Sequence, residues 1–302
     1  MKNNQLRVYR SNWFQRNYKG YLFILPFFVL FFLFTILPVA TSIYQSFTSY
    51  NMLQPAKYIG FDNYKKLFLN DDVFIIAVKN TAELAVIVGP LSFVLSFLMA
   101  WIISTLKFRN LFSLAFYVPS ITSGVAMSVV WLYIFANDRY GLINNVLLRL
   151  GIITEPILWT LDTGKILGVV IFISAWMSMG TGFLTFLAGI RSIPPEYLEA
   201  ARIDGLNGKL QEFRYIIFPV MKPQCLFAAI NSIVASLGAY DIAVAVAGMP
   251  SPEYSAHTIV AHIYDYAFTR FDMGYASAIA TFLFALSYLL GIIVRKMFAS
   301  DD

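Results

Sequence analysis

Four charges fall within nine residues of an otherwise apolar stretch: Glu196, Glu199, Arg202 and Asp204. They belong to the segment Pro194-Pro195-Glu196-Tyr197-Leu198-Glu199-Ala200-Ala201-Arg202-Ile203-Asp204-Gly205. Groups of these types suit charge pairing and docking rather than bond breaking. Ser192 is placed to act as an N-cap, and a proline is tolerated in the first helical turn because its missing N–H would be unpaired there anyway. Glu196 favours the positive end of a helix dipole. Gly205 suits the left-handed residue that ends a helix. The segment therefore predicts a helix of roughly 10 residues, about 15 Å long. Tyr197 and Ala201, four apart, share a face, and Ala200 and Ala201 keep one side low so that another surface can approach. Glu199 and Arg202 are spaced to pair on the flank. From these residues alone, a solvated helix between membrane spans and a docking helix for a second protein both stand open.

Glu83 and Asp241 are the ionisable residues that stand out at or within apolar runs. An acid at mid-membrane costs about 2.5–3.5 kcal/mol, so such residues face a partner or a wet cavity. For Asp241, lining a pathway and structural pairing are both open. Glu83 follows Asn80-Thr81 near the start of its run and reads first as structural. Asn231, Ser232, Tyr240, Trp131 and Trp176 offer hydrogen bonds and ring faces to a polar solute, although Trp and Tyr also anchor helices at membrane interfaces. No catalytic constellation is present. Gly208-Lys209 and Gly164-Lys165 lack the glycine spacing and the Ser/Thr of a phosphate loop, and His-Glu-x-x-His does not occur. His257 and His262 have no ligand-type neighbours in the sequence, so no metal site is expected. Cys225 is the only cysteine, which excludes an intrachain disulfide and fits a small core residue.

The elements that must carry these residues are membrane helices. Of 302 residues, 59% are hydrophobic and 13% charged, and the mean hydropathy is +0.67. Such a composition points to a polytopic membrane protein. Runs near Tyr21–Ile43, Ala82–Ile103, Leu111–Phe135, Ile166–Ile190, Ile216–Ala247 and Ala276–Val294 approach or exceed the ~20 residues a crossing needs. The expected class is thus all-α with about six spans. Domain limits are a tail over 1–20 and a transmembrane domain over 21–298, interrupted by the charged segment 191–215. The tail carries Lys2, Arg7, Arg10, Arg16 and Lys19 without an acid, so the positive-inside rule makes it cytoplasmic. Six crossings return the C-terminus, with Arg295 and Lys296, to the same side, along with Lys107, Arg109 and the charged helix. Flank charge accounts for a pI near 9.1, and no basic domain for nucleic acid exists. Asn63–Phe74, with Lys65 and Lys66 against Leu67, Phe68 and Phe74, reads as an amphipathic segment in the external membrane interface, with contact to an external protein as the second reading. Pro90, Pro119 and Pro219 are expected to kink helices.

Glu199, Ala200, Ala201 and Gly205, followed by Ile216-Ile217-Phe218-Pro219, resemble the Glu-Ala-Ala…Gly…Ile-x-Leu-Pro signature of ABC-importer permeases. Arg202 and Asp204 match its sugar-importer form. Two departures are a spacer one residue longer and Phe218 in place of Leu. Gly20-Tyr21-Leu22-Phe23-Ile24-Leu25-Pro26, Tyr44-Gln45-Ser46-Phe47-Thr48 and Tyr58–Phe68 are similar to the first subunit of a permease pair, of the maltose F-type or glycerol-phosphate A-type. Tyr240-Asp241, Pro250, Ala267-Phe268 and Gly274–Ala278 extend the likeness over essentially the whole chain, with Met249 standing where the family has a second Gly.

The resemblance implies a type I importer fold. Glu196, Glu199, Ala200, Ala201, Arg202, Asp204 and Gly205 would form the coupling helix that sits in a cleft of a cytoplasmic ATPase. It implies a second permease subunit, two ABC ATPases that bind the ATP and Mg, an external solute-binding protein, and a sugar substrate. No cofactor would reside on this chain, which would lie in a bacterial or archaeal cell membrane with both termini inside. Asn231, Tyr240, Asp241, Trp131, Trp176 and Glu83 are the candidate pathway residues. The alternative is a stand-alone ion-coupled carrier or channel, which has no need of the charged helix.

Overall fold

A computed structural model describes residues 18–206 and 208–298. The charged tail over 1–17, including Lys2, Arg7, Arg10 and Arg16, lies outside the described residues. Twelve helices concern us. Among the described residues, five helical stretches are long and apolar enough to cross a membrane, and one bent pair makes a sixth if it crosses as one span.

The first, α1 (Tyr18–Gln45), is followed by a short antiparallel pairing of Thr48–Ser49 with Lys57–Tyr58. Then come α2 (Asp62–Leu69) and α3 (Asp72–Ser104). Asp71 caps α3, its carboxylate accepting from the Phe74 amide at 2.9 Å. Pro90 lies inside α3 without ending it. The predicted third span is broken. Residues α4 (Arg109–Ile121) and α5 (Gly124–Ile134) meet at a 99° bend, where Thr122 turns to extended backbone. Past α6 (Leu142–Arg149), α7 (Ile166–Arg191) is continuous, and α8 (Pro195–Ile203) is the charged helix. The predicted fifth span enters later than its apolar run suggests, as α9 (Lys222–Leu237), and breaks before α10 (Asp241–Ala247). Finally α11 (Ile259–Tyr264) leads to α12 (Met273–Phe298).

Two apolar clusters stack along the bundle. One joins Leu84 and Val88 of α3, Ile166–Ile173 of α7, Trp131 and Phe135 of α5, and Ala243 and Val246 of α10. The other joins Phe97 and Ile103 of α3, Phe186 and Leu187 of α7, Ile193, Ile217, Met221 and Cys225. α3 and α7 therefore run the same way, the middle of α3 beside the start of α7 and their C-termini together. Two helices running the same way need a return crossing between them, for which the α4–α5 pair is the candidate.

A third cluster changes the reading of 63–74. Leu67 is fully buried and Phe74 nearly so, packed with Ile259, Tyr266, Tyr275 and Ile279. Asn63 donates to the Ser46 and Thr48 carbonyls at 2.9 Å each. Part of this segment's apolar side is packed on α11 and α12 while Phe68 and Leu69 stay exposed, and Lys66 sits 3.8 Å over the Tyr275 ring. Gly274 makes the junction possible, because a Cβ there would run into the Thr48 carbonyl. In contrast, α1 has no buried residue in its most apolar window and meets the bundle only near its C-terminal end.

Candidate functional site: a charged end helix and a central cavity

Pro194 occupies the N-cap of α8 and Pro195 its first position. Ser192 does not cap this helix; its hydroxyl donates to the Gly189 carbonyl at 2.7 Å, closing α7 instead. Gly205 takes φ +92° after the last turn, and the Leu206 amide returns to the Ala201 carbonyl at 2.9 Å. Glu196, Tyr197, Glu199, Ala200, Arg202, Asp204 and Gly205 are all exposed, and only Ala201 of this set is buried. Arg202 does not pair with Glu199. Its Nε and Nη2 both reach Glu212 Oε1, at 3.0 and 2.9 Å, because the chain folds back after Gly205. The exposed side of α8 also carries Ile203, 86% exposed, which the sequence reading passed over. A short helix that turns both charges and large apolar groups outward is a contact surface.

Deeper in the bundle, a cavity of about 420 Å³ lies between α7, α9, α10 and α11. Ser174, Ser178, Ser236, Tyr240, Asp241 and Tyr264 line it with Met177. Tyr240 and Tyr264 stack at 4.1 Å between centroids, with planes 18° apart. Ser174 is 6% exposed, and its hydroxyl has no hydrogen-bond partner in the structure. A second cavity of about 440 Å³ adjoins it, sharing Met177, Ser178 and Ala235 and adding Ser120, Thr181, Asn231 and Ser232. Together these walls offer hydroxyls, an amide, a carboxylate and stacked phenol rings.

Of the pathway candidates, the structure brings Tyr240, Asp241 and Asn231 to these cavities and leaves three elsewhere. Trp131 is packed in the core against Phe135 and Phe172. Trp176 faces an apolar pocket with Met99, Ile102 and Phe116. Glu83 is exposed on α3, 3.8 Å from Lys79 one turn back. Sequence reasoning missed Ser174, Ser178, Ser236 and Tyr264. Their signal was there: Ser174 and Ser178, like Ser232 and Ser236, are small polar residues one helical turn apart in apolar runs.

Histidines expected to lack partners are tied into a buried cluster at the end of the bundle where α3 begins. His262 Nε2 lies 3.0 Å from Asp71 Oδ2, and His257 Nε2 lies 3.2 Å from His262 Nδ1. Tyr275 donates to the same Asp71 oxygen at 2.6 Å. The fold joins residues that sequence spacing keeps far apart. Burial alone would raise the Asp71 carboxyl, but Tyr275, the Phe74 amide and His262 together hold it below its usual range. Burial pushes His257 down to about 4, with His262 adding to the shift. Burial also lowers His262, against the opposing pull of Asp71.

Residues 92–301 match the family described as "Binding-protein-dependent transport system inner membrane component". The chain is 34% identical over 283 residues to the "Probable ABC transporter permease protein YesP" of Bacillus subtilis (strain 168), covering 93% of this chain and 90% of the relative. To the "Arabinooligosaccharides transport system permease protein AraP" of the same organism it is 28% identical over 299 residues, covering 97% and 92%. Its fold superposes with a TM-score of 0.80 on a chain of a crystallised bacterial ABC transporter involved in the import of the acidic polysaccharide alginate. That match covers 97% of this chain and 98% of the other at 22% identity, a likeness of fold. With five apolar spans and a bent pair, an exposed Glu-Ala-Ala helix and these relatives, the chain belongs to the family of binding-protein-dependent transport system inner membrane components, as a multi-pass ABC transporter permease.

Proposed function

We propose that this permease forms half of the translocation pathway of an ATP-driven importer for a sugar or oligosaccharide. The observation that carries the reading is the join between two sites: α9, whose Asn231, Ser232 and Ser236 line the cavities, follows directly from the connection that begins at α8. Serine, asparagine and tyrosine side chains suit a polyol, and the stacked Tyr240–Tyr264 rings suit its apolar ring faces. AraP and the lactose permease LacF of Rhizobium radiobacter, 30% identical over 267 residues, bear carbohydrate names and support that substrate class.

In this reading α8 is cytoplasmic and docks in one of two ABC ATPases, which hold ATP and Mg. A second permease subunit completes the pore. An external binding protein delivers the sugar to the end bearing 46–71 and 248–272. ATP binding and hydrolysis bias α8 between two positions, and the cavity opens alternately outward and inward, by differential affinity for two states. Both termini lie in the cytoplasm of a bacterial or archaeal cell.

The test is co-purification from mild detergent of the tagged chain, native and Glu199→Lys, with ATPase activity assayed. Recovery of an ATPase and a second permease with the native chain only supports the reading. A chain that purifies alone and moves solute in liposomes without ATP supports a stand-alone carrier and overturns it.

A further inference from the structure

We infer that Arg202 and Glu212 form the strut that carries force from the charged helix into the pore-lining helix α9. The inference rests on the proposed coupling role of α8 and adds the residues that would transmit its motion. Between α8 and Lys209 the covalent path turns on two glycines. It turns at Gly205 with φ +92° and at Gly208 with φ +157°, and neither has another group within 4 Å of where a Cβ would stand. A glycine turn with nothing packed on it bends rather than pushes. Displacement of α8 would be absorbed there unless a second contact bypasses the turn.

The directed bypass, beside the packing of α8 on the turn Phe213–Ile217, is the guanidinium of Arg202. Its Nε and Nη2 donate to Glu212 Oε1 at 3.0 and 2.9 Å. The Glu212 side chain is 15% exposed, so the acceptor is held in place while the arginine, 61% exposed, rides on the helix. Beyond Glu212 the chain is stiff. It passes through the helical turn Phe213–Ile217, whose Phe213 ring packs 4.8 Å from Trp101 and 5.2 Å from Phe97 of α3. Ile217 and Met221 are buried, and α9 then runs on to Asn231, Ser232 and Ser236 at the cavities. A planar, permanently charged guanidinium suits this task, since its directed donors fix orientation as well as distance. Arg202 and Glu212 are positioning residues: neither lines the cavities, and both would act through α9.

The experiment uses the full transporter in proteoliposomes and reads sugar moved per ATP hydrolysed, with the ATPase co-purified by each variant measured alongside. Energetic coupling between sites commonly amounts to ~5- to 150-fold. Glu212→Gln is expected to lower sugar per ATP at least ~5-fold in a complex that still assembles. The exchange Arg202→Glu with Glu212→Arg is expected to recover most of that loss, which a merely local stabilising role would not predict. Normal sugar per ATP in Glu212→Gln overturns the strut, as does an assembled exchange variant that stays uncoupled. If Glu212→Gln loses the ATPase, the exchange variant decides alone. Loss of the ATPase from both makes the pair part of docking and overturns transmission. Failure of the native chain to recruit any ATPase would be a failure of the importer reading itself, seen before any variant is made.

Discussion

Ser174 puts the cavity to its sharpest test at the scale of a single residue. Its hydroxyl is nearly buried and has no partner in the structure, a condition that costs about 1–3 kcal/mol in a protein interior. Ser174→Ala removes the orphan group and leaves the wall intact. We expect the variant to be at least as resistant to thermal unfolding in detergent as the native chain. If a sugar hydroxyl is the absent partner, transport by the assembled importer falls ~2- to 10-fold at the same time, the worth of one hydrogen bond. Higher stability with unchanged transport would remove Ser174 from the substrate path. The opposite signs of the two effects separate a binding group from a packing group, a distinction that burial alone never makes.

At the scale of elements, the Asp71 cluster clamps the start of α3 to α11 and α12, and it has a direction in pH. The bonds are satisfied when His262 Nε2–H donates to Asp71 and His257 Nε2–H donates to His262 Nδ1. Both rings are then neutral. His257 is lowered from 6.5 to about 4, so between those values the opened form binds more protons than the closed one. The clamp is therefore strongest above pH 6.5 and weakens as pH falls toward 4. Asp71, held below 3.8, extends the loss further into acid. Amide exchange across 257–266, corrected for its intrinsic pH dependence, should show protection falling from pH 7.5 to pH 5. His257→Gln, which keeps a donor but does not titrate, should flatten the profile. Equal protection of the native segment at both pH values would dismiss the clamp as a pH-dependent element. Nothing in the sequence announced this cluster, because its bonds join residues 191 and 204 positions apart. The spans were legible, since composition alone dictates them. The α4–α5 bend was not read: Pro119, the expected kink, lies inside α4, and the break falls instead at Thr122-Ser123-Gly124, whose Ser-Gly turn signal sits inside an apolar run. Arg202 reads from its spacing as a partner for Glu199, but the fold-back after Gly205 gives it Glu212 instead.

For the whole molecule, the broken α4–α5 pair decides where α8 stands. If the pair re-enters and leaves on the side it came from, the chain has five crossings, and α8 lies across the membrane from the 105–108 connection. If it crosses, both lie on one side. Packing favours crossing: Ile103 at the end of α3 and Ile193 just past α7 belong to one apolar cluster, while Leu84, midway along α3, and Ile166 at the start of α7 belong to another. The native chain suits a direct measurement, since its single cysteine, Cys225, is fully buried and should give little background. Gln54→Cys, Lys107→Cys and Tyr140→Cys place single thiols at exposed positions on three successive connections. With a membrane-impermeant maleimide on intact cells, Gln54→Cys and Tyr140→Cys should label, and Lys107→Cys only after permeabilisation. If Tyr140→Cys, like Lys107→Cys, labels only after permeabilisation, α4–α5 is a re-entrant loop. It would also set α8 on the outer face, where no ATPase could reach it. Labelling of Lys107→Cys alone on intact cells would invert the whole topology against the charge of its flanks. The position of one tyrosine thus bears on the crossing number, the side of α8 and the ATP-driven reading together.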